Sequence, residues 1–256
     1  QIPFFTDIET AKAEASKTKM PIIIDFYADT TWCESCRQLD SLTLGDSLVI
    51  AMSAENVFVK INAETDSALA ARYGVRGYPT IIIAKSDGTE IDRIEGFIDP
   101  YEFYNQVNLF LQGKETLDDY LTRLEDEPDN PEYLLTIAEK YLGRAQSEKA
   151  IEYYHRVMAL DPDNRRGYTS KSLQGVYSAL TLSKDYKTAI ETCQDIIKRF
   201  PTSPEADDAT AMLGYFTALS GDGKAALALY RDYLQKYPEG RNKWVQRRVA
   251  DLEEKL

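Results

Sequence analysis

Trp32-Cys33-Glu34-Ser35-Cys36-Arg37 is the stretch on which the reading of this chain turns. Two cysteines three residues apart fit the first turn of a helix. Cys33 then takes the helix N-terminus, where free N–H groups and the helix dipole favour a thiolate. Cys36 lies one turn on, within reach for a disulfide. An exchanger of thiols and disulfides needs this pairing, with one exposed attacking sulfur and one shielded resolving sulfur. Two other readings stand beside it. Half of a zinc site would need two more ligands at tetrahedral spacing, and the only further Cys and His are Cys193 and His155, far down the chain. Two unreactive structural cysteines are the third reading, to be judged from the flanking sequence.

Upstream, Pro21-Ile22-Ile23-Ile24-Asp25-Phe26-Tyr27-Ala28 reads as a buried strand running into the motif. Asp25 sits inside it, and a carboxylate among Ile and Phe is desolvated, which raises its pKa. Downstream, Gly77-Tyr78-Pro79-Thr80 precedes a second apolar run, Ile81-Ile82-Ile83. Together with Tyr73-Gly74-Val75-Arg76 ahead of that loop, these segments resemble the thioredoxin family over about residues 1–113. The wording Tyr27-Ala28-Asp29 before the motif is most similar to soluble thioredoxin-like modules that handle electrons in the bacterial envelope.

The resemblance implies roles. Cys33 attacks, Cys36 resolves, and Asp25 lies beneath the resolving cysteine, where it accepts a proton. Lys60 matches the lysine that neighbours that buried Asp. The Tyr78–Pro79 bond is expected to be cis, and its loop to face the cysteines and offer backbone to a substrate chain by strand-like pairing. Trp32, Glu34, Ser35, Tyr78, Pro79 and Thr80 are then the substrate-binding rim. No cofactor is implied. Thr30 and Thr31 are two residues more than the family pattern has between Asp29 and Trp32. This insertion is expected to fall in the loop and to reshape the rim.

The totals bound the rest. A length of 256 residues suits two domains, and 43 % hydrophobic residues suffice for packed cores. No run approaches the 18 or so apolar residues of a membrane span. A net charge of −12 argues against nucleic acid and anionic membranes as partners. Up to residue 113 there are 17 acidic and 9 basic residues, against 25 and 21 beyond it, so the acidity surrounds the cysteines. A chain opening on Gln1 reads as a mature or trimmed form, which fits export to the periplasm or cell envelope, with the cytoplasm as the alternative.

Local signals divide the first part into elements. Thr6-Asp7-Ile8-Glu9 reads as a capping box for a helix to about Lys17. A helix is expected from Cys33 to about Leu44 with Leu39 and Leu42 inward, and another over 46–54. A strand over 56–61, a helix over 66–73 with Gly74 as its C-cap, and a hairpin turn at Ser86-Asp87-Gly88-Thr89 follow. Asp99 and Pro100 open a helix that closes the domain near Gly113.

From residue 114 strand signals vanish and an internal repeat appears. Ala150, Ala189 and Ala226 are each followed by an aromatic or Cys four residues on (Tyr154, Cys193, Tyr230) and by Pro twelve on (Pro162, Pro201, Pro238). This resembles the tetratricopeptide repeat family, with three repeats over about residues 131–240. The first keeps the 34-residue register from Pro131 to Asn164, but the Ala positions are spaced by 39 and then 37 residues, so longer partner helices or loops are expected later. Helices near 115–127 and 241–256 are expected to cap the stack. Cys193 takes a core position and reads as a buried packing thiol. The fold class is thus an α/β thioredoxin fold, residues 1–113, followed by an all-α helical-repeat domain, residues 114–256.

The function that follows is a thiol–disulfide oxidoreductase. Its partners are protein substrates carrying disulfides or thiols, an upstream thiol–disulfide electron donor, and a protein or peptide ligand of the repeats. Glu34 places negative charge beside Cys33 and disfavours the thiolate, with Arg37 partly offsetting it, so the direction expected is that of a reductant or disulfide shuttle. The alternative is an interaction scaffold or redox sensor in which the first domain mainly docks.

Overall fold

In the computed structural model, which describes residues 1–29 and 31–254, the chain divides into two compact units, residues 1–126 and 127–256. Thr30, half of the Thr30–Thr31 insertion, lies outside the described residues.

In the first unit, α1 (Ile8–Thr18) leads into β1 (Ile22–Tyr27), and α2 (Glu34–Gln38) carries the cysteine motif. A π-helical turn (Leu39–Thr43), α3 (Ser47–Ala51), a 3-10 turn (Met52–Ala54), β2 (Val57–Asn62) and α4 (Ser67–Arg72) follow. Strands β3 (Thr80–Ala84) and β4 (Glu90–Glu95) then form a hairpin, with α5 (Pro100–Leu111) and α6 (Leu117–Asp126) last. The sheet runs β2-β1-β3-β4, with β1 parallel to β2 and the other pairs antiparallel. Successive side chains of a strand point to opposite faces, and here both faces are covered. Ile22, Ile24 and Phe26 pack with Val59, Ile82 and the helices α1 and α4. Ile23 packs with Phe58, Ile81, Ile83, the π-helical turn, α3 and α5. Residues 22–26 of β1 are all 2 % exposed or less, which is why the strand reads as one continuous apolar run. The edge of β2 is met by the leading segment: Phe5 N–H donates to the Phe58 carbonyl at 2.9 Å, and Lys60 N–H donates to the Phe5 carbonyl at 2.8 Å.

Three local expectations need correction. The cap of α1 is Asp7, whose carboxylate accepts from Thr10 N–H at 2.8 Å, and not Thr6. The helix expected over 33–44 becomes a π-helical turn after Gln38, closed by Leu44 N–H to the Leu39 carbonyl at 2.8 Å. The extra residue rotates the register, so Leu39 and Leu44 stay buried while Leu42, expected inward, is 56 % exposed. Third, the helix expected to cap the repeats from the N-terminal side is α6, which falls in the first unit. Its Leu117 N–H donates at 2.7 Å to Asp92 Oδ2, a carboxylate of β4 with no exposed surface. The division at 126/127 therefore comes one helix later than the sequence boundary at 113/114.

The second unit is α7 (Pro131–Gly143), α8 (Ser147–Leu160), α9 (Tyr168–Ser183), α10 (Tyr186–Arg199), α11 (Pro204–Leu219), α12 (Gly223–Lys236) and α13 (Asn242–Glu253). Each packs on the next in an antiparallel series. Helices α9 and α11 have 16 residues against 13 in α7, which accounts for much of the stretched repeat spacing. Ala150, Ala189 and Ala226 have no exposed surface, and Tyr154, Cys193 and Tyr230 are 2 % exposed or less. Burial pushes the Cys193 thiol well above its ordinary pKa, so it stays a protonated packing group. Glycine meets aromatic where helices approach most closely. A Cβ on Gly175 would stand 2.1 Å from the Tyr154 ring, and one on Gly214 would stand 2.7 Å from Tyr230.

Replacing a mid-helix Gly by Ala usually stabilises by up to about 1 kcal/mol. At Gly175 the buried Tyr154 ring has nowhere to go, so overpacking of about 1–3 kcal/mol outweighs that gain. Gly175→Ala is expected to destabilise the second unit, read as an earlier urea midpoint by far-ultraviolet circular dichroism. A later midpoint would contradict the close packing.

Candidate active site

Strand β1 and helix α2 bring the motif together. Cys33 is the N-cap of α2, and Cys36 N–H donates to Cys33 Sγ at 3.3 Å. The two cysteines are joined in a disulfide. Cys33 is 5 % exposed and Cys36 1 %, so the first sulfur is the more accessible and the second is shielded. Both pack with Ala28, Tyr27 and Tyr78. The loop before β3 closes over them: Cys33 Sγ lies 3.8 Å from the Tyr78 carbonyl oxygen, and the Tyr78–Pro79 bond is cis. Pro79 and Thr80 are buried, and the Thr80 hydroxyl donates to the Gly77 carbonyl at 2.8 Å, which holds the turn.

The other rim residues lie at the surface. Trp32 is 60 % exposed and stands edge-on to Tyr78, with ring centroids 6.3 Å apart. Glu34 is exposed and paired with Arg37, and Ser35 is half-buried. The Glu34 charge that the sequence sets against a Cys33 thiolate therefore has a cation beside it.

On the sheet face that carries Ile23, Asp25 pairs in register with Lys60 of β2 and with Ile81 of β3. Asp25 is 2 % exposed, and neither carboxyl oxygen has a hydrogen-bond partner among the described residues. Lys60 Nζ is 3.9 Å from Asp25 Oδ2, over the Tyr27 ring at 4.8 Å. Burial pushes the Asp25 carboxyl up to about 7; the Lys60 ammonium lowers it, and the Asp40 carboxylate raises it again. The structure thus brings Cys33, Cys36, Trp32 and Tyr78 together, with Asp25 and Lys60 paired on the neighbouring strands.

Two carboxylates were not singled out in the sequence. Glu64, just beyond β2, accepts from Asp29 N–H at 2.8 Å and from Trp32 Nε1–H at 3.3 Å, so it ties the loop ahead of Cys33 to the sheet. Asp40, on the π-helical turn, is in direct contact with Lys60 Nζ. Asp40 stands four residues after Cys36, the one helical spacing that could have flagged it; Glu64 gives no such signal.

Comparison with known proteins agrees with this geometry. Residues 8–110 match the family model of a thioredoxin-like domain, and residues 175–203 match a tetratricopeptide repeat. Thioredoxin 1 of Synechococcus elongatus is 29 % identical over 102 residues, which cover 40 % of this chain and 91 % of that protein. The thiol:disulfide interchange protein DsbD of Photorhabdus laumondii is 33 % identical over 88 residues, 32 % of this chain but only 15 % of that longer protein. Among solved structures, a thioredoxin from Thermus thermophilus aligns with a TM-score of 0.38 at 22 % identity, covering 42 % of this chain and 86 % of that one.

The proton balance at Asp25 gives a prediction. An unfolded chain loses this proton near pH 3.8, whereas the folded chain holds it to about pH 7. Stability therefore falls as pH rises through that window and levels off above it. About three pKa units at 1.36 kcal/mol each set an upper limit of about 4 kcal/mol. Asp25→Asn is expected to stabilise the first unit by up to that amount at pH 8 and to change little at pH 4. Urea titrations at the two pH values check this, and an equal effect at both would contradict the buried, protonated carboxyl.

On the family-model and sequence matches and this geometry, residues 8–110 form a thioredoxin-like thiol–disulfide oxidoreductase domain, and the helical unit that follows contains a tetratricopeptide repeat.

Proposed function

We propose that the protein transfers electrons to disulfides of protein substrates, as a reductant or disulfide shuttle, with its repeat unit engaging a protein or peptide partner. The observation that carries this reading is the shielded Cys36 behind the more accessible Cys33, with the Tyr78 carbonyl 3.8 Å from Cys33 Sγ. That carbonyl is a backbone acceptor beside the attacking sulfur, suited to pairing with an incoming extended segment whatever its sequence. The exposed Trp32 and Glu34, with the half-buried Ser35 and Tyr78, form the rim on which such a segment lies, and the buried Pro79 and Thr80 hold the Tyr78 backbone in place beneath it.

The reaction runs in two exchanges. The Cys33 thiolate attacks one sulfur of the substrate disulfide, a mixed disulfide forms, and the other substrate sulfur leaves as a thiolate. Cys36 then gives its proton to Asp25 and attacks Cys33 Sγ. The Cys33–Cys36 bond forms and the second substrate thiolate leaves. Two electrons have passed to the substrate, and an upstream thiol donor restores the dithiol. A buried carboxyl that titrates near 7 suits this transfer, because a base works best with a pKa close to the working pH. Lys60 beside it moderates that affinity.

The reducing direction is supported by Glu34 and Ser35 between the cysteines, with no His there, although the Arg37 guanidinium beside Glu34 offsets part of its charge. The cell envelope, most simply the periplasm, is the compartment proposed. It rests on the resemblance of the Tyr27-Ala28-Asp29 segment to envelope modules and on the likeness to the thiol:disulfide interchange proteins.

Equilibration of the Cys33–Cys36 pair in thiol buffers is expected to give a potential near that of thioredoxin, about −270 mV. A value near the strongly oxidising end, about −120 mV, would reverse the direction. Cys33→Ser should abolish disulfide reduction, and Cys36→Ser should accumulate mixed disulfides that identify the substrates. An effect of the protein on its partners that survives Cys33→Ser unchanged would put the interaction-scaffold reading in its place.

A further inference from the structure

Lys60 faces two carboxylates, and it favours Asp40 of the π-helical turn over Asp25 of β1. Its ammonium is in direct contact with Asp40 but 3.9 Å from Asp25 Oδ2, and Asp25 keeps both oxygens without a hydrogen-bond partner among the described residues. Lys60 Nζ lies over the rings of Tyr27 and Phe4, 4.8 and 5.8 Å from their centroids. Its side chain is 21 % exposed and that of Asp40 33 %, so the pair sits at the mouth of the face and Asp25 behind it. An ammonium released from Asp40 would need to move only about 1 Å to bond Asp25 at ordinary hydrogen-bond distance.

The π-helical turn puts Asp40 there. It follows α2 directly, so the residue that holds Lys60 belongs to the same continuous helical segment as Cys36. The charged groups that act on Asp25 are Lys60 from β2 and Asp40 from this turn, and β3 brings only the uncharged Ile81 opposite.

We propose that Asp40 is a positioning residue that holds the Lys60 ammonium off Asp25 and so leaves Asp25 able to take up a proton at neutral pH. A cation already balanced by Asp40 attracts Asp25 weakly. Freed of Asp40, it would form a direct ion pair with Asp25 and fix it as a carboxylate, a poorer proton acceptor. This rests on the role of Asp25 proposed above, but the placement of Lys60 can be tested apart from it.

The test follows the Asp25 carboxyl carbon by NMR through a pH titration of the full, oxidised chain, which needs no turnover. Asp40→Asn is expected to lower the midpoint by about one unit, the low end of what an adjacent opposite charge produces. Lys60→Met should raise it. In the Lys60→Met background, Asp40→Asn should shift the midpoint by less than half as much, because its effect passes through Lys60. Asp40→Glu should restore much of the original titration. A midpoint that stays or rises in Asp40→Asn overturns the proposal. So does an equal shift in both backgrounds, which would mean that Asp40 acts on Asp25 by direct repulsion alone. Resolution of a Cys33–glutathione mixed disulfide supplies the second readout, and its pH profile should move down with the titration in Asp40→Asn. A profile that stays fixed while the titration moves would remove Asp25 from the reaction proposed above and leave the hold of Asp40 on Lys60 intact.

Discussion

A single carboxyl group taken out of water is the constraint on which the first unit turns. Every neighbour of Asp25 along β1 is apolar and almost unexposed, and the strand is covered on both faces. An uncompensated carboxylate in such a place is costly, and the inexpensive solution is to retain the proton. Lys60 and Asp40 lie near enough to modulate that choice without satisfying the oxygens. The sheet thus maintains, on the strand that leads into the disulfide motif, a group whose charge is undecided near neutrality. A core optimised only for stability would place an isoleucine there.

Much of this was readable in the sequence, for reasons that can be named. The apolar run ending in Asp25-Phe26-Tyr27-Ala28 is long, two-sided and interrupted by one charge, so both strand and buried carboxyl were visible. Asp7, Asp66 and Asp99 each cap the helix that follows, a local chemistry that short-range reading finds, even where the capping residue is off by one. What escaped notice depends on the third dimension. The π-helical turn after Gln38 has no signature in spacing, and it reversed the expected burial of Leu42. Glu64 and Asp40 act across gaps of 32 and 20 residues, where nothing in a linear pattern pairs them with Trp32 and Lys60. Helix α6 reads in sequence as a cap on the repeats because strand signals end near residue 114 and solenoid ends need caps. Its attachment to buried Asp92 was invisible until the strand carrying Asp92 had a place.

The second unit follows a different logic. Repeats interact with their neighbours only, so a small residue facing a large one at each interface specifies the stack locally. Gly175 under Tyr154 and Gly214 under Tyr230 are such pairs. Polar contacts link α7, α9 and α11 as well: Lys171 to Glu139 at 3.1 Å, and Gln174 and Tyr177 to the Asp208 carboxylate, which also pairs with Arg241 at the start of α13. Cys193, enclosed and held protonated, stands apart from the redox chemistry of the first unit although it is the same kind of atom. Reactivity here is a property of surroundings, as thiol chemistry requires.

The short bridge between Phe5 and the edge of β2 bears on how this protein can be handled. Unpaired strand edges recruit other chains, and here Phe5 occupies part of one. The same segment bonds the backbone of Lys60 and lays the Phe4 ring beside its ammonium. A proteolytic nick or a bulky fusion within residues 1–5 would therefore act twice, uncovering a sticky edge and loosening the cation next to Asp25.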